Sequence, residues 1–155
     1  MHAPRGLATG TTTLALVALL AAAAAPPPVA EVFLQAEMTG TTEVPGPGDR
    51  DGRGTIRLRV LADSGKVCYE ATITGIARPR QVHVHQGEVG SAGPPVVTLT
   101  SDLAANPSGC VMTEPAVLAE VVEQPGRFYL NVHSAEHPAG AIRGQLALAL
   151  GEPRQ

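Results

Sequence analysis

The sequence predicts an all-β protein, an antiparallel sandwich or barrel of about eight strands, and three observations carry that expectation. Short runs alternate apolar and polar residues with a period of two, turn residues punctuate them, and no helical crossover separates them. With 17 Gly and 14 Pro in 155 residues, the composition is that of a turn-rich globular chain rather than a collagenous or disordered one. The length suits one domain with a real core.

The N-terminus reads as an address rather than as part of that domain. Arg5 supplies a positive charge, residues 14–20 form an apolar run that continues into Ala21, Ala22, Ala23, Ala24 and Ala25, and Pro26, Pro27 and Pro28 stop it. This is the three-part pattern of a secretory signal over residues 1–25, with the cut expected between Ala22 and Ala30. The apolar stretch falls short of the roughly 20 residues of a membrane span, so no stable span is expected after cleavage; an uncleaved N-terminal anchor is the alternative. The folded domain is then 31–150, and its expected location is secreted, periplasmic or on the cell surface.

The first strand is expected over 32–38. In 54–60, Ile56, Leu58 and Val60 share one face while Thr55, Arg57 and Arg59 take the other. Ala62-Asp63-Ser64-Gly65 makes a turn, and 66–74 resumes with Val67, Tyr69, Ala71 and Ile73 on one side, which completes a hairpin. Further strands are expected at 81–85, 96–100, 109–113, 127–133 and 141–150, with one short helix at 116–123. Gly46-Pro47-Gly48, Asn106-Pro107-Ser108-Gly109, Gln124-Pro125-Gly126 and His137-Pro138-Ala139-Gly140 are among the turns between these runs.

Charge and composition exclude several functions. Eleven basic residues stand against 14 acidic ones, a net charge of −3 with no basic run, and Trp is absent, so nucleic acid is not an expected partner. No Gly-x-Ser-x-Gly elbow, phosphate-cradling glycine loop or complete EF-hand loop occurs, and no nucleotide cofactor is expected. Cys68 and Cys110 are the only cysteines; in an exported chain they are expected to form one bridge, with two free buried thiols as the alternative.

The chemistry concentrates in histidines. In Gln81-Val82-His83-Val84-His85, Val82 and Val84 face the core, so pleating turns His83 and His85 together to the opposite face. In Arg127-Phe128-Tyr129-Leu130-Asn131-Val132-His133, Phe128, Leu130 and Val132 take the core and leave Tyr129, Asn131 and His133 outward. The last run places Ile142, Leu146 and Leu148 inside and Ala141, Arg143 and Gln145 outside. His-x-His on a strand holds two imidazoles at a spacing suited to one metal ion, and His133 from another strand would complete a three-nitrogen set. Arg143, Tyr129 and Asn131 are the expected surrounding groups. Copper is the expected ion by intrinsic affinity for imidazole, with zinc as runner-up. The alternative reading is that these are ordinary exposed histidines. His137 and Glu136 are expected to be solvated loop residues rather than a fourth ligand and an orienting carboxylate.

Taken together, these residues resemble a known family. Gln81 through Gly87, Gly93-Pro94-Pro95-Val96-Val97, Phe128 through His133 and Pro138 through Leu146, with Glu43-Val44-Pro45 and Cys68-Tyr69, look like the CHRD domain, named for the chordin proteins and found in exported bacterial proteins. That resemblance covers about 31–150 and implies an all-β domain, without implying an enzyme. A more distant resemblance is to copper-zinc superoxide dismutase, a Greek-key barrel. It implies that His83, His85 and His133 fall where copper ligands lie and that Arg143 falls where an arginine guides the anionic substrate. The chain departs from that pattern between Gly87 and Cys110, where there is no histidine to bridge copper and zinc. Three functions follow as expectations: a copper-binding extracytoplasmic module, a metal-free interaction or structural module with an extracellular protein partner, and a copper-dependent dismutase.

Overall fold

A computed structural model describes residues 30–150; the expected signal at 1–25 and its cleavage point lie outside them. Nine strands make one antiparallel sheet that curls into a nearly closed barrel. They are β1 (Val32–Thr39), β2 (Arg53–Leu61), β3 (Lys66–Thr74), β4 (Val82–Gln86), β5 (Pro95–Thr100), β6 (Ser108–Met112), β7 (Phe128–Val132), β8 (Ile142–Gln145) and β9 (Ala147–Leu148). The main path runs β5-β4-β7-β8-β1-β2-β3-β6, with β9 paired to β1. Its two ends, β5 and β6, approach each other, so β4, β5 and β6 lie side by side with β3 returned next to β6. This is a Greek-key arrangement.

The two-residue period does what was expected of it. Leu34, Ala36 and Met38 of β1, Ile56, Leu58 and Val60 of β2, and Leu130 and Val132 of β7 are all at most 1% exposed and meet in one core. The hairpin between β2 and β3 turns on Gly65, whose φ of 69° is left-handed and whose missing Cβ would otherwise sit 2.3 Å from the Thr113 carbonyl oxygen. The helix α1 (Pro115–Glu123) starts on Pro115, where a missing N–H costs nothing, and buries Leu118 and Val121. Apolar residues three and four apart thus give α1 one face for the barrel.

The last expected strand differs from the expectation. It splits at Leu146, whose amide still donates to Phe128 O, and the chain then leaves β7 to pair with Leu34 and Gln35 of β1 as β9. Leu146 is buried, but Leu148, expected inside, is 61% exposed because this change of partner carries it off the main path. Ala141, expected outside, is buried.

Ile142 of β8 fills space that two glycines leave: a Cβ on Gly52 or Gly54 would come within 2.6 or 3.1 Å of its side chain. Ile142→Val is expected to cost about 1 kcal/mol, read as a lower urea midpoint at unchanged slope. An unchanged midpoint would show that the neighbouring residues collapse into the vacated space.

Candidate metal centre

Burial of Val82 and Val84 fixes the facing of β4 and sets His83 and His85 on the other side. Strand pairing then decides their neighbours. The β4–β7 register puts His83 opposite Asn131 and His85 opposite Tyr129, and the β7–β8 register puts Arg143 opposite Asn131. One more bond, His133 N–H to Gln81 O at 2.9 Å, carries the β4–β7 pairing past Val132 and brings His133 beside His83. One ligand atom from each of His83, His85 and His133 lies within 4.8 Å of the others.

These side chains occupy the predicted face, but that face is not open. Tyr129, Asn131 and Arg143 are 3–4% exposed and His85 8%. Loops fold back over the sheet and satisfy the polar groups with main-chain carbonyls: Gly93 O for His85 Nδ1 at 2.9 Å, Pro138 O for His133 Nδ1 at 3.1 Å, Glu88 O for Arg143 Nη2 at 2.9 Å, and Gly87 O for Gln145 Nε2 at 2.7 Å. Gly93 allows this closure, since a Cβ there would stand 1.7 Å from Gln86 O.

The carbonyl bonds decide which ring nitrogen carries the proton. Gly93 O and Pro138 O only accept, so Nδ1 of His85 and of His133 donates, and each Nε2 is left with a lone pair. His85 Nε2 is buried and has no hydrogen-bond partner. His133 Nε2 accepts from His83 Nδ1 at 3.1 Å. Bonding to a backbone carbonyl through the second ring nitrogen is how ligating histidines are commonly oriented.

Electrostatics keep the three rings neutral. Burial pushes His83 down from 6.5 to about 4, and the neighbouring His133 and His85 push it the same way. Burial is the leading cause for His85 too; the Gly93 bond opposes it, while His133 and Arg143 add to it. His133 is also lowered by burial, against the Pro138 bond. At neutral pH all three present neutral nitrogen. Tetrahedral nitrogen ligands about 2.0–2.1 Å from a common ion lie about 3.3 Å apart, close to the His83–His133 separation of 3.1 Å. That pair stands at ligand spacing, and the group as a whole, its ligand atoms within 4.8 Å of one another, could hold a metal ion.

Tyr129 lies between two other members of the layer. Its ring stacks on His85 with centroids 4.9 Å apart and planes 16° apart, and Arg143 Cζ sits 3.4 Å from its centroid. His137, by contrast, stays out of the cluster: its amide bonds Ser134 Oγ, and its Nε2 is 4.0 Å from Asp49 Oδ2. Glu136 is exposed.

Sequence reasoning passed over Glu43 as a site residue. It is 8% exposed and accepts from Asn131 Nδ2 at 3.2 Å, while its Oε1 and Asn131 Oδ1 have no partner. A lone acid beside Val44 and Pro45 gives no periodic signal, and backbone carbonyls such as Gly93 O give none at all.

Cys68 and Cys110 are bridged, directly opposite each other on β3 and β6. Among the described residues no helix is long and apolar enough to cross a membrane. A model of the CHRD domain matches residues 34–146, most of the chain. No curated protein matches it.

Proposed function

We propose that this chain, which belongs to the CHRD domain family, is an exported metal-binding module that holds one ion on His83, His85 and His133. The observation that carries the reading is the pinning of Nδ1 of His85 and His133 by backbone carbonyls, which leaves both Nε2 lone pairs directed into the cluster. Neutral imidazoles bind a late first-row ion with no net loss of a proton to water, that of His83 moving from Nδ1 to Nε2. Copper is the preferred ion on the order of divalent affinities, with zinc next. The disulfide supports an oxidising compartment, outside the cytosol.

Equilibrium titration with copper or zinc is expected to give one ion per chain, with affinity falling at least about 100-fold in His83→Ala. Unaltered affinity in that variant would refute the assignment. A second reading also has an observation in its favour: His83, His85 and His133 each already make a hydrogen bond without a metal. As a metal-free interaction or structural module, the protein would bind no stoichiometric ion when purified from copper-supplied cells.

A further inference from the structure

We infer that the three-histidine site is built for a monovalent ion, copper(I), and that the buried guanidinium of Arg143 sets this preference over divalent ions. The inference rests on the reading of the cluster as a metal site and goes beyond it, because three imidazoles alone would accept copper of either valence or zinc.

The argument is one of charge. The cluster contains His83, His85 and His133 and, among the described residues, no carboxylate or thiolate. Its ligands are therefore all neutral, and an ion placed there keeps its whole charge. Arg143 adds a positive one nearby. It is 3% exposed, stacked on the ring that itself stacks on His85, and bonded to a neutral carbonyl, Glu88 O. Among the described residues no acid lies within 4.0 Å of it, the ion pairs being Arg59–Glu31 and His137–Asp49.

A fixed positive potential opposes a bound ion in proportion to that ion's charge, so a dication is penalised twice as heavily as a monocation. Glu43 feels Arg143 as well, but burial pushes its carboxyl up to about 7, so near neutrality it offsets the guanidinium only in part. Coordination number points the same way. Copper(I) is content with two or three nitrogen donors, whereas zinc in a structural site takes four ligands, and the cluster supplies three.

The test is to titrate the full chain anaerobically with copper(I) buffered by a chromophoric copper(I) chelator, and separately with copper(II) and zinc in a glycine buffer. Wild type is expected to bind copper(I) more tightly than either dication. Arg143→Gln is expected to shift the ratio of divalent to monovalent affinity about tenfold or more toward the dications, while Arg143→Lys, which keeps the charge, holds the wild-type ratio. Because the ratio is taken within each variant, a general loosening of the fold cancels. The X-ray absorption edge of wild type loaded anaerobically with copper(I) and then exposed to air, the oxidant being dioxygen, supplies a reading that needs no variant, and the edge is expected to stay that of copper(I). Wild type preferring a dication, a copper(II) edge, or a ratio indifferent to residue 143 would overturn the inference while leaving the metal site standing. Absence of binding by any of the three ions would remove the site and this inference together.

Discussion

Reduction of the Cys68–Cys110 bridge should lower the unfolding free energy by about 4 kcal/mol. The bridge closes a loop of 42 residues, and in the chain-entropy picture a loop of that length restricts the unfolded chain by about that amount at room temperature. Its position concentrates the effect. Hydrogen bonding holds β6 to the sheet on one side only, through β3, and Cys110 lies on its exposed face while Val111 is half-buried. In the native state the bridge thus staples an edge strand whose own apolar contribution is small. Equilibrium urea unfolding of oxidised and reduced protein gives the magnitude, and amide exchange shows where it acts. Amides of β6 should lose protection on reduction before those of β1 and β2. A stability loss below about 1 kcal/mol would mean that the unfolded chain is already restricted between these residues without the bridge.

The face that carries the histidines shows what a sequence can and cannot disclose. Period two was enough to place Val82, Val84, Leu130 and Val132 in the core and hence His83, His85 and His133 on one face, because pleating is local. That β4 and β7 are neighbours is not local. Forty-one residues separate Gln86 from Phe128 in the chain, and only the Greek-key path puts them in register. The periodic pattern assigned Tyr129, Asn131 and Arg143 to the outside, where a bare sheet would leave them exposed. They are instead buried beneath loops whose contribution is a set of carbonyl oxygens, at Gly93, Pro138, Glu88 and Gly87. Every residue type carries a carbonyl, so no letter of the sequence marks the ones that matter. Gly93 is a partial exception, since its lack of a side chain is what permits the close approach. Leu148 fails in the opposite way: it continues the period of Ile142 and Leu146, but the change of partner at Leu146 carries it into solvent.

Glu43 should make the protein lose stability as the medium becomes more alkaline. Burial raises its pKa from 4.5 to about 7, against the attraction of Arg143 and the hydrogen bonds from Asn131 and the Val44 amide. A carboxyl raised in this way holds its proton more tightly when folded than when unfolded. Its contribution to stability is therefore complete below about pH 4.5 and is lost as pH climbs through about 7, a total of about 3 kcal/mol. The structural origin is visible: Oε1 has no partner in a place where a carboxylate needs two or three. Glu43→Gln keeps the shape, removes the titration and retains an oxygen that can accept from Asn131. Across pH 5 to 8 the three histidines act on both proteins alike, so the difference between the two profiles isolates Glu43: it should grow with pH, and at pH 8 the variant should exceed wild type by up to about 3 kcal/mol. Urea unfolding of both proteins across that range, with the disulfide intact, supplies the comparison. Parallel profiles would place the proton elsewhere, whereas a variant weaker than wild type at pH 8 would mean that the ionised carboxyl finds in Arg143 a partner strong enough to outweigh its burial.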